Sequence, residues 1–309
     1  MTHRERMITA LTMGTPDRIP TLELEFQLPY ELIGKNHLTE DDLKGLSPKE
    51  IEYKINDNVE FLLELYEKLE HDVIPLHYLN EEHILMTVKR IRQVSGWEYM
   101  VVTHGDGTFA IMDGPQMADF AYRLYDDPDS VTEEAERMCE RAIDHNRRYL
   151  DAGFDGFILC SDYCFNKGPF ISPAMFAKYI TPYLSRIIAD IREKGGYAIK
   201  HTDGNIMPIL DQLLSANPHA IHSLDPMAGV DIAEVKRLTK GKCALIGNVN
   251  CALMQTGTPE QVAESARYCL AHGKPAGGYI FSTSNVPFRG LPLERYLIAL
   301  NEWKKVRDY

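Results

Sequence analysis

Residues 195–206 read G-G-Y-A-I-K-H-T-D-G-N-I. Two glycines precede a short apolar run, Tyr197, Ala198 and Ile199. Lys200, His201, Thr202, Asp203, Gly204 and Asn205 follow, and a helical pattern then resumes at Ile206, Ile209, Leu210, Leu213 and Leu214. This is the pattern of a strand that ends, turns and feeds a helix. In α/β folds that edge is where functional side chains converge on one crevice. His201 and Asp203 are two residues apart, so in extended backbone they point to the same side. An imidazole beside a carboxylate can bind a metal or handle a proton. The plainer alternative is an aspartate that caps a helix next to a structural histidine.

Outward from this stretch the punctuation is regular. Upstream, a helix over 130–152 stops at Gly153, a strand covers 154–160, and Ser172-Pro173 opens a long helix running to Gly195. Downstream come a helix at 206–215 and a strand at 220–222. Asp231 opens a helix to Gly241, and a strand follows at 243–247. Thr258-Pro259-x-Gln261 caps a helix to Gly273, then a strand covers 278–282 and a final helix starts near Pro292. Nearer the N-terminus, residues 2–14 read as a helix with Thr2 and Glu5 as a capping box. A strand over 19–26 carries Glu23 and Glu25 on one face. Residues 30–50 are polar and irregular, a helix spans 55–70, and a strand 73–77 contains His77. Residues 84–111 read as a β-hairpin laid over a pocket, with Trp97 and Tyr99 on it and a turn at 104–107. Another strand is expected near 109–112.

Eight strands alternating with helices argue a parallel sheet, and eight favour closure. The expectation is therefore an α/β protein: a (β/α)8 TIM barrel over residues 1–309 as one domain, with an N-terminal helical extension and an inserted β-hairpin. An open doubly wound sheet is the alternative, but no G-x-G-x-x-G follows the first strand.

With 45 acidic against 33 basic residues, net charge −12, the surface should repel nucleic acid and anionic membranes. No run of 18 apolar residues occurs, and the N-terminus lacks the apolar core of a signal peptide, so the cytoplasm is the default compartment. The six cysteines, at 139, 160, 164, 243, 251 and 269, form no C-x-x-C pair and are expected reduced.

On a barrel, the strand ends gather Glu23 and Glu25, then His77, then Asp162 and Tyr163. They continue with His201 and Asp203, His222 and Asp225, Asn248 and Asn250, and lastly Ser282, Ser284 and Asn285. Apolar strands that each end in a charged or amide group are poorly explained by packing alone.

Several motifs together carry a resemblance. They are R-E-R-M-I-T-A-L-T-M-G-T-P-D-R-I-P at 4–20, S-D-Y-C-F-N-K-G-P-F-I-S-P-A-M-F at 161–176 and H-T-D-G-N at 201–205. Two more are P-M-A-G-V-D-I-A-E-V-K at 226–236 and G-G-Y-I-F-S-T-S-N-V-P at 277–287. The sequence resembles the uroporphyrinogen decarboxylase superfamily over nearly its whole length. The resemblance implies a (β/α)8 barrel with its pocket at the C-terminal strand ends. Members that decarboxylate a tetrapyrrole need N-terminal arginines, usually in R-Q-A-G-R-Y. Here the matching region reads L-E-L-E-F-Q-L-P-Y at 22–30, with acid where a polyanion would need base. The other branch is the corrinoid-dependent methyltransferases. Its coenzyme M members hold zinc through H-x-C and a later cysteine. His201 matches the histidine, while Asp203 stands for the first cysteine and Ser284 for the second.

The resemblance therefore implies transfer of a methyl group from a small methylated substrate, an aryl methyl ether being favoured, to the cobalt of a corrinoid protein partner. No D-x-H-x-x-G corrinoid motif lies in this chain. Expected catalytic residues are His201, Asp203, Asp162 and Glu25, with zinc on His201 and Asp203. Expected substrate-binding residues are Tyr163, Glu23, His222, Asn250 and Ser284, with Phe165, Trp97 and Tyr99 as ring-stacking partners. A homodimer stays open. The alternatives are a decarboxylase, a methyl transfer using tetrahydrofolate, and a barrel that binds a ligand without catalysis.

Overall fold

The computed structural model describes residues 1–239 and 241–309. Seven strands pair parallel, each with the next in chain order: Val73–Pro75, Met100–His104, Gly156–Cys160, Tyr197–His201, Ala220–His222, Ala244–Ile246 and Tyr279–Ile280. The ring is closed by the extended segment around Thr21. Phe281 N–H donates to Pro20 O (2.8 Å), Leu22 N–H to Phe281 O (3.3 Å), and Asp72 N–H to Thr21 O (2.8 Å). This eighth stave is only a bridge, Thr21 to Phe281, rather than the regular strand expected over 19–26. Its backbone donors are diverted: Pro20 has none, and Thr21 N–H goes to the Asp72 carboxylate at 2.9 Å.

Alternation along the strands sorts side chains into two layers. Val73, Met100, Val102, Ile158, Ile199, Ala220, Ala244, Ile246 and Ile280 pack inside the ring with Leu22 and Leu24. Met7, Ala10 and Leu11 of the first helix, His3–Leu11, plug its base. The opposite strand faces, such as Ile74, Val101, Phe157, Ala198, Ile221 and Leu245, join the larger core under the helices. Continuing the inner alternation by one step puts His104, Cys160, His201 and His222 at the C-terminal end.

The base is tied by ions from the N-terminal motif. Asp72 accepts Arg6 Nη1 (2.7 Å) and Arg18 Nη2 (3.1 Å), and Asp155 accepts Arg4 Nε and Arg92 Nη2, both at 2.6 Å. Both carboxylates immediately precede or lead into strands, so these guanidiniums sit at the end away from the mouth.

The expected hairpin does not form. Residues Glu81–Ser95 are a helix, N-capped by Asn80 and ended at Gly96, whose φ is +61°. Ile84, Val88 and Ile91 are spaced three and four apart, a helical rather than an alternating period. The strand that follows is Met100–His104, not 109–112. Trp97 and Tyr99 thereby fall at the base: Trp97 lies under Arg92 (4.1 Å) and Arg4 (4.9 Å), and Tyr99 stacks on His3 at 4.5 Å.

The long helix expected from Ser172 breaks into Pro173–Tyr179 and Thr181–Glu193, because Pro182 lacks the N–H that would continue the ladder. The irregular 30–50 stretch holds a short helix, Pro29–Ile33, and a 3-10 turn, Glu40–Leu43, and the next helix starts already at Pro48. The helices Gly114–Asp126 and Cys251–Thr256 were not expected. No helix among the described residues is long and apolar enough to cross a membrane.

Candidate functional site at the barrel mouth

The H-T-D-G-N stretch turns at the mouth as its sequence implies. His201 ends its strand with the side chain buried, and Gly204 makes the turn at φ +79°. Gly204 has no space for a Cβ, which would collide with the Cys164 carbonyl oxygen. That carbonyl belongs to a two-residue antiparallel ribbon, Cys164–Phe165 with Gly168–Pro169, and Asn205 N–H donates to Phe165 O at 3.0 Å. The ribbon, the turn and Asp162 are thereby fixed to one another.

Three ligand-bearing groups converge here. One donor atom each from Asp162, His201 and Asp203 lies within 4.8 Å of the others. His201 Nε2 stands 3.7 Å from Asp162 Oδ1 and 3.8 Å from Asp203 Oδ1, too far for hydrogen bonds. Asp162 Oδ1 accepts the Asp203 N–H at 3.0 Å, and Asp203 Oδ2 accepts Asn285 Nδ2 at 2.5 Å. Asp203 Oδ1 is buried and accepts no hydrogen bond from the described residues. An orphaned buried carboxylate oxygen beside an unbonded imidazole nitrogen is costly unless something with positive charge joins them.

Electrostatics point the same way. Burial raises the Asp203 carboxyl to about 6, with the nearby Ser223 hydroxyl and Asn285 opposing and Asp162 and Asp225 adding repulsion. Burial keeps His201 neutral well below the usual imidazole range, and His222 and Lys200 add to it. A neutral imidazole between two carboxylates is a metal-ligand set with N and O donors.

Behind His201 stands His222, Nδ1 to Nδ1 at 2.8 Å, and His222 Nε2 meets Thr283 O at 3.2 Å. Glu23 is buried against the same strand end, accepting Thr283 N–H (3.2 Å), Thr283 Oγ1 (2.5 Å) and Ser282 Oγ (3.3 Å). Burial raises Glu23 to about 8 despite these donors. Burial also lowers His222 to about 4, with the Thr283 carbonyl opposing.

Residues 108–295, more than half of the chain, match the sequence profile of the family described as Uroporphyrinogen decarboxylase (URO-D). The chain belongs to the uroporphyrinogen decarboxylase family. A methyltransferase from Methanosarcina mazei has the same fold, with a TM-score of 0.75 over 99% of both chains at 14% identity. An isomerase from Streptomyces coelicolor A3(2) aligns over 90% of this chain and 58% of its own at 10% identity, with a TM-score of 0.41. None of the curated proteins matches this chain.

Within this uroporphyrinogen decarboxylase barrel the expected site residues separate into groups. Asp162, His201 and Asp203 come together, with His222 and Glu23 behind them. Glu25 lies elsewhere on the rim, held by Gln27 Nε2 (2.8 Å) and Tyr78 OH (3.2 Å). Tyr78 lies just past the C-terminal end of Val73–Pro75, which puts Glu25 on the mouth side of the ring. Tyr163 does not line the mouth. It is fully buried, its hydroxyl on Thr108 Oγ1 at 2.6 Å and its ring under Lys200 Nζ at 4.0 Å. Asn250 caps the helix Cys251–Thr256, its side chain accepting from Ala252 and Leu253 N–H, and Ser284 Oγ accepts Cys251 N–H at 3.4 Å. Trp97 and Tyr99, at the base, stack on no ligand at the mouth, whereas Phe165 is exposed on the ribbon.

Sequence reasoning passed over Lys200, Asp106, Asn285 as the partner of Asp203, and His104. For His104 alone the available signal was the inner alternation Val102-His104, Ile158-Cys160, Ile199-His201 and Ala220-His222.

Proposed function

We propose that this chain is a corrinoid-dependent methyltransferase. It takes a methyl group from a small methylated substrate, an aryl methyl ether being the favoured donor, and passes it to the cobalt of a corrinoid on a partner protein. Family membership and the fold shared with a methyltransferase support the reading. The observation that carries it is the convergence of Asp162, His201 and Asp203 with one carboxylate oxygen left unbonded. Decarboxylation of a polyanionic tetrapyrrole is disfavoured by charge. The guanidiniums of Arg6, Arg18 and Arg92 are paired with Asp72 and Asp155 at the base, while Glu25, Asp162, Asp203 and Asp225 stand at strand ends around the mouth.

The residues fit a zinc ion through His201 Nε2 and the two carboxylates. Zinc would supply Lewis acidity to the departing ether oxygen, a poor leaving group otherwise. The chain's own groups prepare that site. Asn285 aims Asp203 through its Oδ2, and the Asp203 N–H aims Asp162. The apolar ring interior beneath keeps water from the floor of the site.

The test combines metal analysis with turnover. Protein purified without chelator should carry about one zinc per chain, lost in His201→Ala. Methoxybenzenes with reduced corrinoid protein should yield the corresponding phenols and a change in the corrinoid spectrum. Protein without metal that releases no phenol from any methoxybenzene would overturn the reading.

A further inference from the structure

We propose that His222 is a positioning residue that fixes the tautomer of His201, so that His201 offers the unprotonated Nε2 to Asp162 and Asp203. The inference rests on the metal-binding reading of this site but not on the identity of the substrate.

The direction of each hydrogen bond follows from the far end of the chain. Glu23 accepts both the N–H and the hydroxyl of Thr283, which holds that peptide in place. The Thr283 carbonyl then stands 3.2 Å from His222 Nε2. A carbonyl oxygen can only accept, so His222 Nε2 carries the hydrogen. The other neighbour of Nε2, Ser282 Oγ at 3.5 Å, carries hydroxyl lone pairs and can accept from the ring as well. A neutral imidazole has a single N–H, so His222 Nδ1 is bare and accepts. Its partner at 2.8 Å is His201 Nδ1, which must therefore donate. His201 Nε2 is left as a lone pair, and it is this nitrogen that faces Asp162 and Asp203.

The opposite tautomer would set two lone pairs against each other at 2.8 Å between rings that are 4% and 1% exposed, where water cannot relieve them. The arrangement has a chemical consequence. His201 acts as a ligand rather than as a proton donor, and the burial of Glu23 and His222 acquires a purpose that contact with substrate does not supply. A second hydrogen-bonded group of this kind sets ring orientation and basicity in metal sites generally.

The experiment uses the full chain, metal-free and labelled with 15N at histidine. Long-range proton–nitrogen correlation spectra should show His201 protonated at Nδ1 and His222 protonated at Nε2. His222→Leu removes the acceptor. His201 should then shift toward the Nε2-protonated form, and titration with Co2+ should show affinity falling 10- to 100-fold, on the order expected for loss of such a partner. His222→Gln, whose amide oxygen can accept, should recover part of the affinity. A wild-type spectrum with His201 protonated at Nε2 overturns the inference, as does unchanged tautomer and Co2+ affinity in a folded His222→Leu protein. Should the wild type bind neither Co2+ nor zinc, the metal reading falls instead, and the nitrogen spectrum still decides the tautomer.

Discussion

Lys200 Nζ lies 2.7 Å from Asp106 Oδ2, with the lysine side chain fully buried and the aspartate nearly so. Lys200 alternates with His201, so its side chain leaves the ring for the layer under the helices. There it also donates to the carbonyls of Leu159 (2.9 Å) and Ser161 (3.1 Å), the latter immediately before Asp162. One buried ammonium thus joins the loop after Met100–His104 to the strand end that carries a candidate ligand. Removing one member of such a pair leaves an uncompensated charge, so Lys200→Met should cost about 3–5 kcal/mol. Adding Asp106→Asn should restore part of it. Urea unfolding of the two single variants and the double variant measures the coupling, and additive losses would contradict it.

Glu23 predicts a pH dependence of stability. Its folded pKa is raised to about 8 by burial, well above the 4.5 of an ordinary glutamate. Between those values the native chain holds a proton that the unfolded chain has released. Stability contributed at low pH is therefore lost as pH rises from about 4.5 to about 8, with a slope of about 1.4 kcal/mol per pH unit. Above that range both states are ionised and the slope vanishes. Glu23→Gln keeps an acceptor for Thr283 N–H and carries no titrating proton. Its stability difference from wild type should move in its favour across this range and then level. Denaturant melts from pH 5 to 9 check the sign, and parallel profiles would exclude it.

Much of this architecture was readable from punctuation. Ser172-Pro173, Thr258-Pro259-x-Gln261 and Thr2 with Glu5 start helices where their hydroxyls can accept backbone donors, and each does so. Gly153 ends the helix Pro128–Ala152, and Gly195 lies just past the end of Thr181–Glu193, both at positive φ. The turn after His201 was legible because a period-two run meets a period-3.6 run there. The errors have physical causes. The hairpin expected over 84–111 fails because Ile84, Val88 and Ile91 share one helix face, and with it the strand moves to 100–104 and Trp97 and Tyr99 fall at the base. Tyr163 lies away from the mouth because the chain folds back into the ribbon at Cys164, which leaves the ring buried beneath Lys200. The Lys200–Asp106 pair spans 94 residues and leaves no local pattern.

The two carboxylates at the site should not be equivalent. Asp203 has one oxygen fixed by Asn285 and the other unbonded, whereas Asp162 is exposed and its Oδ1 already accepts a backbone N–H. Asp203→Asn removes the charge from the more buried ligand and brings an amide where an acceptor is needed. It should weaken zinc binding by roughly 100-fold, and Asp162→Asn by roughly 10-fold, both on the scale of altered ligand shells. Competition with a chromogenic chelator ranks them. Equal losses, or a larger loss at Asp162, would place the ion away from the buried oxygen.

Gly204 links fold stability to the same site. Its φ of +79° is a region that side chains disfavour, and an added Cβ would meet the backbone oxygens of Cys164 and Phe165. Backbone cannot rotate aside as a side chain can, so Gly204→Ala must displace either the ribbon or the H-T-D-G-N turn. The expected cost is at least about 2 kcal/mol in unfolding free energy. The displacement also separates Asp203 from Asp162, because the Asp203 N–H that holds Asp162 Oδ1 is one residue from the substituted position. Zinc affinity should therefore fall along with stability, even though residue 204 contributes no ligand atom. Thr202→Ser offers the comparison: it keeps the hydroxyl that accepts Tyr163 N–H at 2.8 Å, and should leave both quantities nearly as they are. Thermal melts with and without added zinc separate the two effects. A destabilised Gly204→Ala protein that still gains the wild-type increment from zinc would show that the turn supports the fold without setting the geometry of the ligands.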